Sequence, residues 1–431
     1  MTSAEVPWTD RYADRVITPA AAALLVRDGD FVSTGLPEPT AFLEALGQAN
    51  HLNDFTVFVP SPRWGGVAVA KNPAARPLAA FITQVIRDTG GDWDVLPLRL
   101  NDWGGFARRV KPRVAVFPVA PPEADGTVRP GPTMGSNDVF IRRENRTADD
   151  LVLGLVNPAL PGVNGDTFHV DDFDALIEMP EGDDGLPVYD DRKAPAGLDA
   201  LVGALDELIP DGSTIQAGVG GIAEEALRRL THKRDLGVHT EVLGAGIAHL
   251  IETGVATGAK KSIYPNEALF TISLPEAYSF VADNPQVRIA SADLVLDPAT
   301  IARNRQMRCI NSTLEVDLWA QANAEMIDGV QYSGVGGQLD FLRGCSLADD
   351  ALSILVLPST AAGGTRSRIV PQIDRNAVTA TRYDTQVVVT EQGVAWLRDA
   401  TVSQKAERLI AVAHPDFRAE LTEQAERAGI I

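Results

Sequence analysis

Two stretches far apart in the chain share one plan: LLVRDGDFVSTGLPEPTAFLEAL at 24–46 and LIPDGSTIQAGVGGIAEEALRRL at 208–230. Each runs from an Asp-Gly turn through a short apolar strand and a glycine-containing turn into an amphipathic helix with a Glu-Ala-Leu triplet. A strand feeding directly into a one-sided helix must bury both against a common sheet, so the repeat predicts two similar halves. Further apolar runs, FTVFVP, VAVFPVA, LSILVLP and QVVVTE, alternate with helical segments such as LDALVGALDEL and SQKAERLIAVA. Runs that are apolar on both faces are those of parallel strands covered on either side by helices. The expected fold is therefore α/β, two similar domains with largely parallel sheets.

Between the halves, MPEGDDGLPVYDDRKAPAG at 179–197 has neither strand nor helix period and reads as a linker. The boundary is expected near Lys193, giving an N-terminal domain of 1–192 and a C-terminal domain of 193–431. A second irregular stretch, PPEADGTVRPGPTMGSND at 121–138, has the length of connections that often serve function. With 431 residues, 45% of them hydrophobic, the chain has enough apolar surface to fill a core in each half.

The 58 acidic against 38 basic residues give a formal charge of -20, which opposes binding to nucleic acid or to an anionic membrane surface. Neither is an expected partner. An anionic ligand needs a local basic patch, for which Arg303, Arg305, Arg308, Arg366 and Arg368 are the candidates. The two cysteines, Cys309 and Cys345, stand too far apart in sequence to form a metal or redox motif. The N-terminal residues carry no signal pattern and no apolar run approaches the length of a membrane span, so the expected location is the cytoplasm.

Gly218, Gly220 and Ala223 form G-x-G-x-x-A directly after the strand STIQA and directly before the helix AEEALRRL. In that context main-chain N–H groups at a helix N-terminus can receive a pyrophosphate. Glu241 ends the next strand, GVHTE, at about the twenty-residue spacing where a dinucleotide fold places its ribose-binding acid. The residues alone thus admit an NAD-dependent oxidoreductase, and equally an ordinary tight turn with a solvated glutamate. A second glutamate, Glu391 in QVVVTEQG, follows another buried strand; if the two strand ends met, the acids would divide roles as nucleophile and partner.

The run Gly334-Val335-Gly336-Gly337 in QYSGVGGQLDF offers several N–H groups without side chains in the way, suited to a phosphate or an oxyanion and equally to a plain turn. His169, beside Asp171 and Asp172, is either a metal ligand or, more commonly for a lone histidine among acids, a hydrogen-bonded structural residue. No G-x-S-x-G elbow, P-loop or H-E-x-x-H spacing occurs.

With these features in hand, the sequence resembles the acetyl-CoA hydrolase/transferase family, which are class I coenzyme A transferases. IQAGVGGIAEEAL, LGVHTEVL, CINSTLEVDLWAQANAE, YSGVGGQLDF, STAAGGTRSRIVP, VVVTEQGVAWL and AHPDFRAEL carry the resemblance in the family's order. PPEADGTV and VNPALPGVNGDTFHVDDFD extend it more loosely through the N-terminal half. The resemblance implies that Glu241 is a covalent nucleophile forming a glutamyl-CoA thioester, with Gly337 as oxyanion donor and Glu391 as a second active-site acid. It implies that CoA is held by Gly218, Val219, Gly220, Gly221 and Ile222 and by Ser333, Gly334 and Gly337.

It implies no permanently bound cofactor and no metal, with acyl-CoA and a small carboxylic acid as substrates. An acyl-CoA hydrolase using the same site is the near alternative, and a homodimer is the expected assembly. Three segments depart from the family pattern: Leu296 replaces a usual Asn, Ala362 replaces a common CoA-contacting Lys, and Trp319 and Ala320 stand in a segment that usually contains Gly. These bear on acyl specificity and on how CoA is held.

Overall fold

Both copies of the repeated plan are present in the computed structural model of the chain, which describes residues 6–142, 146–180 and 197–431. Gly29 and Gly212 take the left-handed turn conformations, with φ of +80° and +76°, that the two Asp-Gly turns require. The strand Phe31–Thr34 then leads to the helix Thr40–Gly47, and Thr214–Ala217 leads to Gly221–Arg229. Packing divides the chain into two compact units, Met1–Tyr189 with Thr271–Asp293, and Asp190–Phe270 with Leu294–Ile431. The boundary expected near Lys193 lies outside the described residues. The segment Thr271–Asp293, C-terminal to it, belongs to the first unit.

The first unit has an eight-stranded sheet of β1 (Val16–Ile17), β2 (Phe31–Thr34), β3 (Phe55–Phe58), β4 (Ala75–Ala79), β5 (Asp94–Val95), β6 (Val114–Val119), β7 (Leu151–Val156) and β8 (Ala175–Glu178). Their order is β1-β8-β7-β6-β2-β3-β4-β5 and every neighbouring pair is parallel. Burial follows from that arrangement: β6 is buried at all its positions, because helices cover both faces of a parallel sheet. Val114, Val116, Leu153, Leu155 and Ile177 form its core with Phe42 and Leu43 of the following helix. Each contributes on the order of 1.5 to 3 kcal/mol by leaving water.

The connection Pro121–Asp138 is not an open loop. It is largely buried, and Thr127–Val128 pairs with Phe168–His169. Thr133 bridges Ile272, and the Met134 N–H donates to the Thr271 carbonyl, so this stretch seats the returning segment Thr271–Asp293.

The second unit has a six-stranded sheet of β9 (Thr214–Ala217), β10 (Gly237–Val238), β11 (Met307–Ser312), β12 (Leu352–Val356), β13 (Val387–Thr390) and β14 (Gly393–Trp396). Their order is β10-β9-β11-β12-β13-β14; all pairs are parallel except the hairpin β13-β14. The expected helix over SQKAERLIAVA forms at Val402–Val412, opened by a capping box of Thr401 and Gln404. Cys309 on β11 and Cys345 on the helix Gln338–Ser346 are 36 positions apart, yet their buried sulfur atoms lie 3.1 Å from each other. Among the described residues no helix is long and apolar enough to cross a membrane.

Candidate active site

Because β9 to β13 are parallel, their carboxyl ends share one edge of the second sheet, the edge where open α/β sheets bind ligands. The glycine turn follows β9, Glu241 follows β10, and Glu391 follows β13. Glu241 lies three residues beyond its strand, not at its end. Only Gly237 and Val238 pair with β9; His239 then bridges Leu269, and the Thr240 N–H donates to the Leu269 carbonyl at 2.9 Å.

The Gly337 N–H donates to Oε2 of Glu241 at 2.9 Å. Gly337 caps the N-terminus of the helix Gln338–Ser346 with an ordinary φ of −93°. Its need for glycine is thus one of space: a Cβ would lie 2.5 Å from Glu241 Oε2 and 2.5 Å from Leu296 Cδ2. Real Cβ atoms essentially never approach that closely. Glu241 as a residue is half-buried, and burial of its carboxyl pushes the pKa up to about 7 against the lowering effect of the Gly337 N–H. The helix terminus also favours the anion. Leu296, fully buried, supplies an apolar neighbour.

The glycine turn is held against β11. The Gly218 N–H donates to the Ile310 carbonyl at 2.8 Å and so is engaged within the fold. A Cβ on Gly218 would lie 3.1 Å from Asn311 Oδ1, and Asn311 exchanges amide hydrogen bonds with Gln216 at 3.1 and 3.0 Å. Gly220 has a φ of +156°, and Gly221 begins the helix. Val219 is exposed at the tip, whereas the Ile222 side chain is buried, which leaves Ile222 its main chain for a ligand. In the second loop the N–H groups of Tyr332 and Ser333 both donate to the Glu325 carbonyl, at 2.8 and 3.0 Å. Gly334 follows, and Gly336 makes the turn with φ +57°.

Glu391 occupies the two-residue turn of the β13-β14 hairpin, between the paired Thr390 and Gly393. The Ser359 N–H donates to its Oε2 at 2.8 Å, and the Ser359 hydroxyl donates to its Oε1. Partial burial raises the Glu391 pKa, but these bonds outweigh it and hold the carboxyl below its ordinary value. The strands carrying Glu391 and Glu241 do not neighbour each other. Three strands separate them, placing their axes four spacings apart, on the order of 19 Å. The two acids therefore share an edge without their strand ends meeting.

Three of the candidate arginines serve the fold. Arg308 donates to the carbonyls of Leu208, Met307 and Asp350, Arg366 pairs with Asp328 at 2.9 Å, and Arg368 donates to the Leu314 carbonyl. His169 accepts from the Asp171 N–H in the cap of a short 3-10 turn, which is the structural role. Ala362 is exposed with φ +51°, and Trp319 packs under the Arg382 guanidinium at 5.0 Å. Ser359 and Asn311 enter the site region through neighbouring strands of the sheet, and Leu296 through its packing beside Gly337; no local pattern in the residues signals these contacts.

Comparison with known proteins bears on this geometry. Residues 274–425 match the acetyl-CoA hydrolase/transferase C-terminal domain. Succinyl-CoA:cyclohexane-1-carboxylate CoA transferase of Geobacter metallireducens is 33% identical over 442 residues, spanning 100% of this chain and 99% of that protein. The 4-hydroxybutyrate coenzyme A transferase of Clostridium kluyveri is 36% identical over 328 residues, or 74% of each. Among solved structures, RipA from Yersinia pestis matches with a TM-score of 0.87 and 30% identity, covering 99% of this chain and 100% of that one.

Proposed function

The chain belongs to the acetyl-CoA hydrolase/transferase family and is an enzyme of the CoA-transferase type, and we propose that it works through a glutamyl-CoA thioester on Glu241. The observation that carries this reading is the Gly337 N–H held 2.9 Å from the Glu241 carboxylate. The anion attacks the acyl-CoA carbonyl; the C–S bond breaks, leaving a mixed anhydride on Glu241 and a CoA thiolate. The thiolate then attacks the Glu241 carbonyl, releasing the first acid and forming the glutamyl thioester. An acceptor carboxylate reverses both steps and leaves as its CoA ester, with Glu241 restored. The thioester's free energy stays in covalent bonds throughout.

When the Glu241 carbonyl is itself attacked, its oxygen becomes an oxyanion at the place where Gly337 already donates. One such donor is worth roughly 3 to 4 kcal/mol of barrier. A pKa of about 7 keeps a substantial anionic fraction at neutral pH while making that anion more basic than an ordinary glutamate. The turn 218–222 and the loop at Ser333, Gly334 and Gly337 are the seats we assign to CoA, in place of the dinucleotide that G-x-G-x-x-A admits on its own. The apolar Leu296 beside Gly337 supports an acyl group more apolar or bulkier than acetate. We assign no permanent cofactor, a homodimeric assembly and a cytoplasmic location.

Incubation with acyl-CoA followed by hydroxylamine or borohydride is expected to modify Glu241, read by peptide mass spectrometry. A fully active enzyme left unmodified there overturns the mechanism. Measuring CoA release with and without an acceptor acid separates transfer from hydrolysis, since only a hydrolase releases CoA at an undiminished rate without acceptor.

A further inference from the structure

Three segments converge on Glu241 within the second unit: its own stretch 237–241, residues 295–296, and the helix Gln338–Ser346 that begins after Gly337. One side chain links all three. His239, two residues before Glu241 and fully buried, places Nε2 2.7 Å from the Val295 carbonyl and Nδ1 3.1 Å from Nδ2 of Asn304. Its ring stands edge-to-face against Phe341, with centroids 6.3 Å apart at 82°. A carbonyl only accepts, so Nε2 carries the hydrogen and Nδ1 accepts from the Asn304 amide. Burial pushes the His239 pKa down to about 3, so this neutral tautomer persists at working pH.

We propose that His239 is a positioning residue for acyl exchange: its bond to Val295 sets the place of Leu296, its ring sets the helix that carries Gly337, and together they fix the Glu241 carboxylate. The inference rests on Glu241 being the nucleophile. Val295 immediately precedes Leu296, and Leu296 Cδ2 and Glu241 Oε2 would be equally close to a Cβ on Gly337. Loosening Val295 therefore shifts one wall of the space in which the carboxylate sits. A displacement of about 1 Å at a reacting group can cost up to roughly 100-fold in rate.

The test compares His239→Asn, which keeps an acceptor near Nδ1 but withdraws the donor to Val295, with His239→Gln, which keeps a donor near Nε2. The expected result is a fall in kcat of roughly 10- to 100-fold for Asn, with KM within about threefold. Labelling of Glu241 by acyl-CoA slows in proportion, and Gln recovers most of the loss at matched folded fraction. Asn304→Ser, which removes the partner of Nδ1, is the companion if the Asn variant does not fold; a smaller fall in kcat at constant KM is expected. Unchanged kcat in the folded variants, equal losses in Asn and Gln, or a change in KM alone overturns the proposal. Failure to label Glu241 in the unaltered enzyme overturns the thioester reading and this proposal with it. Labelling there, combined with unaffected His239 variants, overturns this proposal alone.

Discussion

Gly337 donates its main-chain N–H to the Glu241 carboxylate at 2.9 Å and leaves no room for a β-carbon of its own. Gly337→Ala is therefore expected to displace Glu241 or Leu296 without straining the backbone, whose φ of −93° suits alanine. The expected loss in kcat is at least about 100-fold. A thermal midpoint lowered by only a few degrees, measured alongside steady-state kinetics, separates this from unfolding.

The raised pKa of Glu241 fixes the sign of two pH effects. The nucleophile is the anion, so kcat/KM is expected to rise with pH along an acid limb centred near 7 and then level off. For stability the folded value lies above the ordinary 4.5. The protonated carboxyl thus favours the folded state below 4.5, and that advantage is lost as pH rises through 7. Glu241→Gln, which does not titrate, is expected to gain on the unaltered protein across that window, by on the order of 2 to 3 kcal/mol at its upper end. Denaturant titrations at pH 4, 6 and 8 read the difference, while transfer activity is abolished.

Leu296 offers the carboxylate no hydrogen bond. Leu296→Asn is expected to move the acid limb of kcat/KM below 7, because an amide beside Gly337 stabilises the anion. The buried polar group costs about 1 to 3 kcal/mol of stability if it is incompletely satisfied. An unmoved limb in a folded variant shows that Leu296 does not contribute to the environment of the carboxyl. A panel of acyl-CoA donors on the same variant reports its effect on acyl selectivity.

Ser359 supplies two hydrogen bonds to Glu391, one of them from its hydroxyl. Here the folded pKa lies below the ordinary value, so the stabilisation is present at neutral pH and is lost as pH falls below about 4.5 through the folded value. Ser359→Ala is expected to cost about 1 kcal/mol at pH 7, discounted for the partial exposure of Glu391, and less at pH 3. Unfolding curves at the two pH values check the sign.

Local features of this chain were legible in its residues, and contacts between distant elements were not. The Asp-Gly turns, β9 and the glycine turn follow from short-range chemistry, and each forms where the residues place it. Glu241 was visible as an acid beyond a buried run, but its strand is shorter than GVHTE suggests. β10 is an edge strand, and beyond it the His239 N–H still donates to the Ile215 carbonyl of β9 at 3.1 Å while the residue also bridges Leu269. The partners that give the acids their character, Gly337 at 96 positions from Glu241 and Ser359 at 32 from Glu391, carry no periodic signal. His239 read as one more strand residue because both of its hydrogen-bond partners come from beyond its own strand.

The excursion Thr271–Asp293 makes the chain difficult to divide. A gene cut at the linker would leave these residues on the C-terminal piece, while Thr133, Val163 and Gly165, which bridge Ile272, Ala282 and Ile289, would remain on the other. Ala277, Val281 and Ile289, each fully buried in the intact chain, would be stripped of that support and would mark the fragment for aggregation. Resemblance between the two halves therefore does not make them separable modules: the longer-range path of the backbone obliges them to be made, and altered, as one molecule.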